Sequence, residues 1–247
     1  MSEKEQKILF NEIASLYEAH YGDACSQQYR QRFINEPMFD GISLSGKKVV
    51  EAMSGSGETT GYLLSKGARV TGIDLSVAGI NSFKKRWPGC SAICASILNT
   101  GFKNNAYDCV VSVGGLHHLH PSLDKAVSEI HRILKPGGYF CFSEPHTGSA
   151  PDLIRRYWYR HDNFFADNEA AINLKKLKDR FSSGFTFEKE IYMGNIAYLF
   201  VLNSLIFRIP VRIKPFYTPA LLRLESMINR FQGKFLSCFA ISGWRKK

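Results

Sequence analysis

The sequence predicts an α/β fold, a parallel sheet with helices on both faces. Three observations predict it. From Lys47 to Glu144, short apolar and β-branched runs alternate with helix-like segments. The helical segments are stopped by Gly67, by Pro88-Gly89 and by Pro136-Gly137-Gly138, residues that end helices. Each strand is followed by a helix and not by a tight hairpin, so neighbouring strands run parallel through right-handed crossovers. A chain of 247 residues with 45% hydrophobic content can bury a sizeable core.

The elements follow in order. Apolar residues recur at helical spacing through Leu9, Ile13, Leu16, Tyr17 and Tyr21, so Ile8 to Phe33 reads as two helices broken near Gly22-Asp23. Lys47 to Ala52 is the first strand and Glu58 to Lys66 a helix. Arg69 to Asp74, with β-branched Val70, Thr71 and Ile73, is the second strand. Ser76 caps a helix reaching about Arg86. Ser91 to Ala95 is the third strand. Tyr107 to Val113 is a fourth, nearly all apolar, as a strand covered on both faces must be. Ser122 to Leu134 is an amphipathic helix, and Tyr139 to Glu144 the fifth strand.

Composition bounds the partners. Net charge is +10, of which residues 1–150 carry +1 and residues 151–247 carry +9. Such asymmetry speaks to partners, so the second half should favour an anionic species or a membrane surface. The six cysteines form no CxxC pair, and Cys90 and Cys94 have no His partners at zinc-like spacing. Buried free thiols in a cytoplasmic protein are expected, with no metal site. The charged start, Met1 to Lys7, lacks a signal-peptide stretch. The longest apolar run, Ile196 to Phe207, falls short of the ~20 residues that span a bilayer.

In a doubly wound sheet, ligands bind beyond the carboxyl ends of the strands. Strand one runs into Glu51-Ala-Met-Ser-Gly55-Ser-Gly57, where glycines allow a tight turn and close ligand approach. Strand two ends in Asp74, 17 residues beyond Gly57, where an ionised carboxylate can accept two ribose hydroxyls. An ordinary βα turn explains the glycines alone; the spaced acid favours a nucleotide-like ligand. A dinucleotide turn wants a third glycine at position 60, which is Thr60. Glu51 would repel a pyrophosphate but suits the amino group of a methionine moiety.

Val49-Val-Glu-Ala-Met-Ser-Gly-Ser-Gly-Glu, Val70-Thr-Gly-Ile-Asp-Leu-Ser, Tyr107-Asp-Cys-Val-Val-Ser-Val-Gly-Gly-Leu-His-His-Leu and Glu129-Ile-His-Arg-Ile-Leu-Lys-Pro-Gly-Gly together resemble the class I S-adenosylmethionine (SAM)-dependent methyltransferases, in their small-molecule, UbiE-like branch. The resemblance covers about residues 45–145. It implies a Rossmann-like, seven-stranded, mostly parallel sheet whose last strand is antiparallel, with Phe185 to Met193 and Cys238 to Trp244 as strands six and seven. It implies SAM as cofactor. Carried over by position, Glu51, Ala52, Met53, Gly55 and Gly57 line the methionine end, Asp74 takes the ribose and Leu75 lies on the adenine. The family's adenine-binding acid is Ser96 here, followed by Ile97, and its first glycine is Met53. Gly114 and His118 fall in the cofactor-lining turn after strand four. Residues 1–44 become a helical lid that brings Tyr21 and Tyr29 over the cofactor, unless these are ordinary core aromatics. Residues 45–193 become the cofactor-binding core, and 238–247 its final strand.

The acceptor side is less determined. Nucleobase-amine enzymes resemble one another in an Asn- or acid-Pro-Pro-aromatic run after strand four, and this chain has Ser112-Val-Gly-Gly-Leu116 instead. A hydroxyl acceptor needs a base, for which imidazole suits. His117 and His146 are the candidate bases, with Glu144 nearby; His117-His118 also reads as a plain cofactor-lining turn. Between strands six and seven, residues 194–237 form a basic, apolar helical insertion carrying Arg208, Arg212, Lys214, Arg223 and Arg230. It fits a peripheral membrane contact, or else a cap over the acceptor pocket or a homodimer contact. The expected activity is methyl transfer to an O or N atom of a small-molecule or lipid-linked acceptor. A nicotinamide oxidoreductase and a nucleic-acid-binding module are the alternatives. The first lacks its third glycine; the second lacks an aromatic-basic stacking platform, so no nucleic-acid partner is expected.

Overall fold

The computed structural model describes residues 3–159 and 170–247. Two helices open the chain, α1 (Glu3–Tyr21) and α2 (Ala24–Arg30). They part at Gly22-Asp23, where Asp23 Oδ1 accepts from the amides of Cys25 (3.0 Å) and Ser26 (3.2 Å) and caps α2. A π-helical turn, Gln31–Asn35, leads from α2 into α3 (Glu36–Phe39). Then come β1 (Lys48–Ala52), α4 (Thr60–Ser65), β2 (Arg69–Asp74), α5 (Val77–Arg86), β3 (Ser91–Cys94) and β4 (Tyr107–Val113). After a short turn at Leu116–Leu119 follow α6 (Leu123–Ile133), β5 (Leu134–Glu144), α7 (Ala150–Tyr159), α8 (Leu174–Phe181), β6 (Phe185–Met193), α9 (Lys214–Ile228) and β7 (Phe239–Lys246).

The seven strands form one sheet in the order β3-β2-β1-β4-β5-β7-β6. β1 pairs in parallel with both β2 and β4, and β7 is antiparallel to both β5 and β6. Strand order therefore reverses at β1, which opens the crevice between the carboxyl ends of β1 and β4. Consecutive residues point to opposite faces. Val49, Cys109 and Cys141 join a core with Tyr29, Phe33, Phe83 and Leu222. Val50, Val110 and Phe140 join a second core with Val127, Ile130 and Ile133 of α6. Both sheet faces are thus covered, as the apolar run of β4 requires.

The expected elements are present, with shifted ends. α4 starts at Thr60, not Glu58, because Ser54 to Thr59 form the turn. β5 starts at Leu134: Leu134 pairs with Tyr107, and the register then shifts so that Tyr139 meets Cys109. Lys135 to Gly138 stand opposite Asp108 alone, with Gly137 at φ 74°. α7 and α8 were not expected from the sequence. Within 194–237, Ala197, Val201, Leu202 and Leu205 are buried, so the apolar run packs into the molecule. No helix of the described residues is long and apolar enough to cross a membrane.

Candidate functional site

A cavity of about 540 Å³ lies over the carboxyl ends of β1, β2 and β4. Its floor is the turn after β1. Gly55 (φ 51°) and Gly57 (φ 84°) hold left-handed conformations, as does Met53 (φ 55°) at a cost of about 1–2 kcal/mol for a residue with a side chain. The turn is braced from outside the cavity. Trp87 Nε1–H donates to the Ser56 carbonyl (3.0 Å) and the Gly57 carbonyl (3.1 Å). A Cβ on Gly57 would sit 2.5 Å from that indole nitrogen, so glycine is required there for packing as well as for φ. On α5, a Cβ at Gly79 would touch Gly55 Cα at 3.4 Å, which lets helix and turn approach closely.

Asp74 ends β2 and faces the cavity. Its Oδ2 accepts from Gly55 N and its Oδ1 from Ser76 N, both at 2.8 Å. Burial raises its pKa, and the amides of Ser76, Gly55 and Leu75 pull the other way. Each carboxylate oxygen retains a lone pair for a ligand hydroxyl. Leu75, Ser96 and Ile97 continue the wall beyond Asp74, and Gly114, His117 and His118 line the side below β4.

Several expected cofactor contacts lie elsewhere. Glu51 does not line the cavity: it is buried beneath the turn, where Oε1 accepts from Thr59 N (2.9 Å) and Oε2 from the Thr60 hydroxyl (2.5 Å). Burial lifts its pKa to about 7, with Thr60 opposing, Glu58 adding, and Thr59 and Arg30 opposing. Glu51 thus fixes the entry into α4. Ala52 is buried in the core, and Gly57 packs on Trp87. Tyr29 is fully buried, its hydroxyl donating to Glu225 Oε1 (2.7 Å), and it belongs to the core. Tyr21 does line the cavity, and its hydroxyl donates to Asn203 Oδ1 at 3.3 Å.

His117 and Glu144 meet at the end of β5. Glu144 Oε1 accepts from the amides of Gly115 and Leu116, both at 2.8 Å, and Oε2 lies 2.7 Å from His117 Nδ1. An acceptor-only carboxylate places the proton on Nδ1, which leaves Nε2 as the basic nitrogen of the neutral ring. His146 is not among the residues lining the cavity. It is 1% exposed, its Nε2 lies 2.7 Å from Ser237 Oγ, and burial foremost lowers its pKa. Its proximity in sequence to Glu144 does not bring it to the site, because β5 ends between them.

The roof comes from both ends of the chain. Gln6, Phe10, Ala14, Tyr17 and Tyr21 line the cavity from one face of α1. α1 is held down where Asn11 Oδ1 accepts from Ser76 Oγ (2.8 Å) and Ala78 N (3.1 Å). Tyr198, Leu202 and Phe207 of the insertion close the other side. Arg30 also lines the cavity and was missed from the sequence, as was the clamp by Trp87. The i, i+4, i+8 spacing of Gln6, Phe10 and Ala14 was the available signal for the α1 face.

Fold and site together are those of doubly wound α/β proteins with a cavity at the strand-order reversal. A family model described as a methyltransferase domain matches residues 50–142. The matched stretch runs from β1 to β5 and includes the glycine turn and Asp74. An uncharacterised methyltransferase of Synechocystis is 31% identical over 120 residues, 48% of this chain and 57% of the relative. A fatty-acid O-methyltransferase of Mycolicibacterium smegmatis is 32% identical over 105 residues, 41% of this chain and 38% of the relative. The matches therefore span only about four-tenths to six-tenths of those relatives' length. Among solved structures, the magnesium protoporphyrin IX methyltransferase of Synechocystis, with bound SAH (the demethylated cofactor), superposes with a TM-score of 0.68 at 13% identity and covers 100% of both chains. At that identity the likeness is one of fold.

Proposed function

We propose that this chain transfers the methyl group of SAM to an O or N atom of a small, apolar or lipid-linked acceptor. The carrying observation is that Asp74, the glycine turn and the His117–Glu144 pair line or abut one cavity of about 540 Å³. The residues fit the cofactor. Asp74 offers a carboxylate with spare lone pairs for ribose hydroxyls, and Gly55 leaves the turn open except for Glu58 at 3.4 Å from a would-be Cβ. When bound, SAM supplies an electrophilic methyl on a sulfonium with a good leaving group, so the protein's main task is alignment. Asp74 and Ile97 hold the nucleoside, and the α1 face excludes water. His117 Nε2 takes the proton of an acceptor hydroxyl, while Glu144 keeps the ring in the required tautomer.

The apolar acceptor is supported by the rim. Ile154 lines the cavity yet is 65% exposed, and α7 packs on the turn at Lys234–Leu236, which exposes Phe235 and Leu236. A relative named for fatty acids agrees in acceptor class. Calorimetry with SAM, SAH and NADH tests the core of the proposal. Binding of SAM and SAH, and none of NADH, is expected; tight binding of NADH alone would overturn it.

A further inference from the structure

Arg30 is the last residue of α2, in the cavity wall with Tyr21, Ile34, Ser56 and Glu58. It is 8% exposed, and its Nε is buried with no hydrogen-bond acceptor among the described residues. The guanidinium carbon lies 6.0 Å from the Tyr21 ring centroid, a contact that orients a cation without neutralising it. Guanidinium keeps its proton under all protein conditions, so burial leaves a full charge to be compensated. Glu51 and Glu58, the acids at the two ends of the turn after β1, have other hydrogen-bond partners. Glu51 accepts from Thr59 and Thr60, and Glu58 Oε1 accepts from Ser56 Oγ at 2.6 Å. Burial foremost raises the Glu51 carboxyl, and Arg30 acts weakly against it, favouring the charged form. The cation thus lines the cavity beside Tyr21 and acts on the acid of β1.

We propose that Arg30 is the anion anchor of this cavity and receives the α-carboxylate of the methionine moiety of SAM. This rests on the methyltransferase reading above. A planar guanidinium with parallel N–H groups matches a carboxylate two bonds at a time. The place fits the amino-acid end of the cofactor: Ser96 and Ile97 stand beyond Asp74 on the opposite, nucleoside side, and His117 with Glu144 stands at β4 and β5. Free of ligand, Arg30 is a buried cation with too few partners; with the carboxylate in place it is satisfied. An anion on the acceptor is the other source of the same chemistry, and the experiment separates the two.

The test pairs a truncated residue with a truncated ligand. SAH and 5′-methylthioadenosine, which has the nucleoside and sulfur but no amino acid, are titrated into the wild type, R30M and R30K. SAH affinity should fall on the order of 10- to 100-fold in R30M, the scale of a lost charge-assisted pair. Methylthioadenosine affinity should stay within about twofold. R30K, which keeps the charge and not the fork, should lose less SAH affinity than R30M and guards against misfolding. The thermal midpoint of ligand-free R30M should hold or rise, since an uncompensated charge is removed. Unchanged SAH binding in R30M overturns the proposal, as do equal losses for SAH and methylthioadenosine. A change confined to acceptor KM assigns the anion to the acceptor and also overturns it. Failure of the wild type to bind SAH at all would instead sink the methyltransferase reading.

Discussion

The proposed methyl transfer rests its proton removal on His117, which Glu144 holds at 2.7 Å. Glu144 is 1% exposed at its side chain and spends both oxygens on the Gly115–His117 turn. Its effect on the reaction must pass through the His117 ring. For a hydroxyl acceptor, H117A should lower kcat by about 10²- to 10⁴-fold with SAH affinity unchanged. E144Q should lower kcat less and flatten the rise of activity as imidazole loses its proton, because the tautomer is no longer enforced. Rate measurements across pH 5.5–9 check both, and an H117A enzyme with undiminished kcat removes the base. At this scale the sequence showed what strand ends determine. Asp74, Gly55 and Gly114 sit at the carboxyl ends of β2, β1 and β4, and those positions face the cavity by topology. It did not show where Tyr29 and His146 point. Their partners, Glu225 and Ser237, lie 196 and 91 residues away in sequence, and local spacing carries no record of such contacts.

Among the elements, the insertion is organised around its one acid. Glu225 of α9 is fully buried. It accepts from Tyr29 Oη (2.7 Å), Asn195 N (3.0 Å) and Ala197 N (2.8 Å), so it caps the turn containing Tyr198 and ties α9 to α2. Burial raises its pKa, against the hydrogen bonds from Tyr29 and the three amides. A second tie joins the same elements: Lys214 Nζ, fully buried, donates to Asp23 Oδ2 (2.5 Å), the His20 carbonyl (2.9 Å) and Ser26 Oγ (2.7 Å). Removing the Glu225 carboxylate strands a buried phenol and three amides, those of Asn195, Ala197 and Tyr198, at once. E225A should therefore cost about 3–5 kcal/mol, which lowers the thermal midpoint by roughly 2–4 °C per kcal/mol. It should also open residues 194–213 to protease before the sheet unfolds. Equal melting of E225A and wild type would show that the insertion folds without this anchor. In sequence the insertion reads as six bases, Arg208, Arg212, Lys214, Arg223, Arg230 and Lys234, against one acid. As a single charge Glu225 gives no sign in the sequence that it ties α9 to α2.

Over the whole molecule, charge and apolar surface fall on the same side. Arg212, Arg223, Arg230 and Lys234 are exposed along α9 and the turns on either side of it. Phe216 (87% exposed), Met227 and Phe231 (91% exposed) stand among them, and Phe235 and Leu236 extend the surface toward Leu153, Ile154 and Tyr157 of α7. Bulky apolar groups interleaved with arginine are the composition of an interfacial element. Because Ile154 also lines the cavity, a bilayer docked on this surface would meet the rim through which an apolar acceptor enters. Each basic residue near an anionic leaflet contributes about 1 kcal/mol, within a Debye length. The wild type should therefore co-sediment with phosphatidylglycerol vesicles at low salt, bind neutral vesicles weakly, and release as salt rises. The double variant R223E/R230E should lose affinity by at least tenfold, and F216S/F231S should bind less at every salt concentration. A second copy of the chain is the competing occupant of the same surface. It predicts concentration-dependent dimers, broken by F216S/F231S, with no dependence on lipid charge. Absence of vesicle binding at low salt, together with such dimers, would assign the surface to self-association.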